Sequence, residues 1–88
     1  MSSVGVRVMT ARQQLRSSGL PSEMADLDAR LIAQHVLGWT TERFLTDVHT
    51  VAPIGFGAVY ERLIRRRIAR EPLAYIVGHR EFWVSKSR

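Results

Sequence analysis
Apolar residues recur along this chain at spacings of three and four, and the recurrence restarts four times. Val4, Val8, Ala11 and Leu15 lie on one face of a first helix that ends at Gly19. The run Val4-Gly5-Val6-Arg7-Val8 also alternates, which leaves the first turn open to an extended start. Leu20-Pro21-Ser22 reads as a turn, with Ser22 as the N-cap of a second helix from Glu23 to Leu37 that stops at Gly38. Its inward face carries Ala25, Asp28, Ala29, Ile32, His35 and Val36. Thr40 caps a short third helix ending near Val48, and Trp39 and Phe44 hold the two positions of a hydrophobic staple. His49 to Ala52 is a loop. Pro53 then opens a fourth helix whose first turn is frayed by Gly55 and Gly57. Phe56, Val59, Tyr60, Leu63, Ile64 and Arg67 follow one face of it.

The last third changes rhythm twice. Pro72 pushes Glu71 out of the helical region, so the fourth helix stops near Arg70. Pro72 itself suits the first position of a short fifth helix, which docks through Leu73, Ile76 and Val77 and closes at Gly78. Phe82 and Val84 then alternate with Glu81, Trp83 and Ser85, as in a short strand. The pattern predicts an all-α bundle of four helices plus a short fifth, with an extended C-terminal tail. Two charges fall on apolar stripes. Asp28 and Arg67 each need compensation, which predicts a salt bridge between helices two and four, or a network shared with Tyr75 or His35. The simpler alternative is that Arg67 snorkels to helix-end carbonyls. For His35, a hydrogen-bonded boundary position outweighs a ligand role, because no second ligand lies at metal spacing.

Eighty-eight residues suffice for one domain with a modest core. There is no cysteine, hence no disulfide or thiolate metal site. The N-terminal residues lack the apolar run of a signal peptide, no stretch has the length of a membrane span, and a cytoplasmic location is expected. The formal net charge is +5, and twelve of the thirteen basic residues are arginine. The triple arginine 65–67 does not form one patch, because consecutive helical residues lie 100° apart. Arg62 and Arg65 fall on the solvent side, and Arg66 and Arg70 flank the apolar stripe. No nucleic-acid recognition module accompanies the charge, so a nucleic-acid partner is disfavoured.

Glu71-Pro72-x-Ala74-Tyr75-Ile76-x-Gly78-x-Arg80-Glu81-Phe82-Trp83 resembles the domain junction of the HemK/PrmC methyltransferases. Asp28-Ala29-x-Leu31-Ile32-x-x-His35-Val36-Leu37-Gly38 extends the resemblance upstream. The family has glycine where Arg70 stands and a hydroxyl cap where Ala52 stands, and the tail after Trp83 departs from its usual continuation. Members methylate the glutamine of the Gly-Gly-Gln loop of peptide-chain release factors with S-adenosylmethionine. In them a helical N-terminal domain precedes a hairpin and a Rossmann-like catalytic domain. The resemblance implies that residues 1–78 are the helical substrate-recognition domain and 79–88 the start of the hairpin. It implies release factor and the catalytic domain as partners, and S-adenosylmethionine as cofactor of the parent enzyme. No catalytic, cofactor or metal residue carries over, since neither the glycine-rich cofactor loop nor the Asn-Pro-Pro-Tyr motif occurs. Arg62, Arg65, Arg66 and Arg70 are the candidates for steering an acidic partner surface. Two other readings are a free-standing basic module that binds nucleic acid and a purely structural docking domain.

Overall fold
The computed structural model describes residues 3–77. Four helices, α1 (Val4–Ser17), α2 (Ser22–Leu37), α3 (Thr41–Asp47) and α4 (Phe56–Ile68), are followed by a fifth helical stretch, α5, over 73–77. This is the all-α bundle that the periodicity predicts. Among the described residues the single β feature is the bridge between Ser3 and Val51. The predicted strand in the tail lies outside the described residues.

α1, α2 and α4 pack mutually, and their apolar stripes meet in one core. Val4, Val8, Ala11 and Leu15 from α1 face Ala25, Ala29, Ile32 and Ala33 from α2 and Phe56, Tyr60, Leu63 and Ile64 from α4. The alanines of α2 are fully buried, and small side chains at a helix contact let the axes approach closely. Phe44 of α3 and Ile76 of α5 close the core. The rings of Phe56 and Tyr60 stack with centroids 4.9 Å apart. The buried Tyr60 hydroxyl donates 2.8 Å to the Ala29 carbonyl of α2, which answers its need for a partner.

The start of α1 is settled by tertiary contacts. The amides of Val4 and Gly5 donate to the carbonyls of Thr50 and Val48, at 3.0 and 2.8 Å. A Cβ on Gly5 would lie 3.3 Å from Val48, so this close approach of the two elements uses the missing side chain. Ser3 caps the helix, accepting from the Val6 amide. Thr40 caps α3 by accepting from Arg43, as the sequence predicts.

Four details differ from the pattern. Pro21, not Ser22, occupies the N-cap position of α2; its carbonyl accepts from Ala25, and Ser22 is the first helical residue. Pro53 does not open α4. It starts a tight turn closed by Phe56 N–H to Pro53 C=O, and Gly55 at φ 89° sets the helix start at Phe56. His35 and Val36 are only half-buried, and Ala33 takes their place in the core. Val59 is exposed, because α4 presents a narrower stripe to α1 and α2 than its spacing suggests.

Candidate partner-binding face and domain junction
The C-terminal end of α4 gathers four arginines with different surroundings. Their 100° offsets send each guanidinium elsewhere. Arg67 points inward. Its Nε donates 2.8 Å to Asp28 Oδ2 on α2, with side-chain exposures of 12% for Arg67 and 5% for Asp28. Its Nη1 donates 3.2 Å to the Glu71 carbonyl. The two stripe charges therefore meet across α2 and α4. Tyr75 is 68% exposed. His35 is half-buried on α2.

Arg66 turns to the edge of the bundle. Its Nε donates 2.9 Å to Glu71 Oε1, and its Nη2 bonds the second carboxylate oxygen. This fork-to-fork pairing is the geometry that favours arginine over lysine. The hydrogen bond to Glu71 raises the Arg66 pKa further above its ordinary value. Arg70 reaches away from α4: its Nη2 donates 2.7 Å to the Ser18 carbonyl at the end of α1. Arg65 stays in solvent, loosely paired with Glu61 at 3.8 Å, and Arg62 is exposed.

A backbone turn makes these contacts possible. Arg70 adopts φ 74°, the left-handed conformation. The Arg70 amide donates to Arg67 C=O and the Glu71 amide to Arg66 C=O, at 3.0 and 3.1 Å. Those two bonds form a Schellman motif, which satisfies the last carbonyls of the helix. α1 ends the same way through Gly19 and Leu20, with the apolar pair Leu15 and Leu20 at the positions that usually touch. In α4 the corresponding positions are Arg66 and Glu71, and the contact is an ion pair. Helical spacing in the sequence cannot reveal this, because the turn folds Glu71 back against the helix it leaves.

Beyond the turn, Pro72 accepts from the Tyr75 and Ile76 amides and starts α5. Ile76 is buried, and Leu73 and Val77 pack partly against the core. Of the junction motif, Glu71, Pro72 and Tyr75 are described; Gly78, Arg80, Glu81, Phe82 and Trp83 lie outside the described residues.

A groove runs between α1 and α4, lined by Thr10, Gln13, Gln14, Glu61, Arg65 and Ile68. Its α1 wall, which Ser17 completes, consists of two amides and two hydroxyls, able to hydrogen-bond a partner's backbone or side chains. Sequence reasoning passed over Gln13 and Gln14, since neither breaks its helix pattern and their meeting with α4 is a tertiary fact. Elsewhere the Arg43 guanidinium lies 5.2 Å from the Trp39 ring, a cation–π contact that accounts for part of that ring's setting. Among the described residues no group of three acidic or histidine side chains could hold a metal, and no helix is long and apolar enough to cross a membrane.

The model of the PrmC N-terminal domain matches residues 8–78. The chain is 38% identical over 74 residues to a release factor glutamine methyltransferase of Burkholderia pseudomallei, covering 84% of this chain and 25% of that protein. It is 41% identical over 73 residues to one of Vibrio cholerae, covering 83% and 25%. A bifunctional methyltransferase of Rickettsia prowazekii is 33% identical over 73 residues, covering 83% and 14%. The chain thus spans about a quarter of the length of the release factor glutamine methyltransferases it matches. No solved structure gives a significant match. The helical bundle, its junction sequence and these matches together show that the chain belongs to the PrmC N-terminal domain family.

Proposed function
We propose that this chain is the release-factor-recognition domain of an S-adenosylmethionine-dependent protein-glutamine N5-methyltransferase, and that it carries no catalytic or cofactor site of its own. The observation that carries the reading is the extent of the match: nearly the whole chain aligns, to about a quarter of enzymes named for release factor glutamine methylation. On this reading residues 1–78 hold the protein substrate, 79–88 begin the hairpin to the catalytic domain, and the enzyme works in the cytoplasm during translation termination. Positioning of this kind lowers a barrier without supplying a reacting group. Arg62 and Arg65, with the polar wall of the α1–α4 groove, are the surface for an acidic face of the release factor. Arg66 and Arg70 serve it indirectly, since their guanidinium groups are held by Glu71 and Ser18. That pairing also weighs against a nucleic-acid module, which needs unpaired cations along one face.

Titrating the 88-residue chain with release factor and, separately, with labelled S-adenosylmethionine tests both halves. Release factor is expected to bind with a Kd of about 10 μM or weaker, because only part of the interface is present. Cofactor is expected not to bind. Micromolar cofactor binding would remove the non-catalytic assignment, and steeply salt-dependent RNA binding of comparable affinity would favour the nucleic-acid reading.

A further inference from the structure
We propose that the arginine cluster at the end of α4 is a positioning device that fixes the direction in which the chain leaves the bundle for the methyl-transferring part of the enzyme. The inference rests on the recognition reading above, and it assigns Arg66, Arg67 and Arg70 a role apart from partner contact. Glu71 is the residue from which the chain departs, and it is gripped at three points. Its amide is bonded by the Arg66 carbonyl, its carbonyl by Arg67 Nη1 and its carboxylate by Arg66. Pro72 follows at once with a ring-fixed φ, and Ile76 anchors the next turn in the core.

The grip is tied to the rest of the bundle from two sides. Arg67 is bonded to Asp28 on α2, and Arg70 to the end of α1. Helix termination alone does not require this. α1 and α2 end through Gly19 and Gly38, which adopt positive φ without a side-chain penalty. At Arg70 the chain accepts that penalty with a full side chain, and the side chain is the one that reaches Ser18. Gly19 leaves room for it: a Cβ there would lie 3.1 Å from Arg70 Nη2. A full side chain at a left-handed position, tied to the end of α1, marks a place in this chain where geometry matters. The departure of α5 is thereby fixed relative to α1, α2 and α4 together, so a partner held on the α1–α4 face keeps a set orientation to whatever follows α5.

The test combines exchange in this chain with kinetics in a chimera, in which the chain replaces the corresponding quarter of the Vibrio cholerae relative. In the 88-residue chain, Arg67→Met is expected to speed amide exchange at Tyr75 and Ile76 about tenfold more than at the core amide of Ile32. In the chimera the same substitution is expected to lower kcat on intact release factor about tenfold or more, with KM changed less than twofold. Activity on a short Gly-Gly-Gln peptide, which needs no orientation by this domain, is expected to be unchanged, and Arg67→Lys to recover part of the loss. If Arg67→Met does not fold, Arg70→Gly keeps the turn and removes the tie to α1, and gives the same readouts. Unchanged exchange at Tyr75 and Ile76 would overturn the proposal, as would equal losses on peptide and release factor. A chimera with the unaltered chain that methylates the peptide but not release factor would overturn the recognition reading itself, while the exchange result still reports on the grip.

Discussion

Tyr60 shows how one side chain links burial, bonding and pH. Its hydroxyl is buried against the Ala29 carbonyl, and burial pushes the phenol above its ordinary value of 10.0. The folded chain therefore holds this proton more tightly than the unfolded chain does. Stability from this group is complete below pH 10 and declines as pH rises beyond it. Urea unfolding between pH 9 and 11 is expected to show that decline, and Tyr60→Phe to flatten it at a cost near 1 kcal/mol at neutral pH for the lost bond. The pair Asp28 and Arg67 is the sharper case. Arg67→Met strands a buried carboxylate and is expected to cost about 3–5 kcal/mol, whereas changing both residues to leucine is expected to cost less than either single change. Chemical denaturation of the three variants measures this directly. These two charges were legible in the sequence because each interrupts an apolar stripe. The contacts of Arg66 and Arg70 were not, since they depend on a turn that helical phase does not encode.

Helix ends were the least legible elements, and they hold most of the specific chemistry. Gly19 and Gly38 announced the ends of α1 and α2 because glycine is the default for a left-handed terminus. The end of α4 was announced by Pro72, while its left-handed residue is an arginine. Arg70→Ala keeps the strained conformation and loses the bond to Ser18; Arg70→Gly loses the bond and relieves the strain. The alanine variant is expected to be less stable than the glycine variant by about 1 kcal/mol, measured by thermal unfolding. Equal stabilities would mean that the turn relaxes. Pro53 misled in the other direction. A proline followed by an apolar period signals a helix start, but the turn through Gly55 delays it to Phe56. Ser22 failed as a cap for a related reason, since Pro21 already presents the carbonyl and dihedrals of that position.

The whole domain reads as a small core wrapped in arginine. The fold class followed from repeated three-and-four spacing, and the core stripes are those of Val4, Ala25 and Phe56 onwards. The α1–α4 groove did not follow, because a sequence pattern gives each helix its faces and not its neighbours. The same distinction governs function. The junction motif indicates the family, while the α1–α4 groove depends on how Gln13, Gln14 and Arg65 are assembled. The decisive measurement compares kcat/KM on intact release factor for the Vibrio cholerae enzyme lacking its N-terminal quarter with that for the same enzyme carrying this chain in its place. The truncated enzyme is expected to lose about 100-fold or more on release factor while keeping its activity on a Gly-Gly-Gln peptide, and the chimera to regain most of the loss. Undiminished methylation of release factor by the truncated enzyme would contradict a recognition role for this domain.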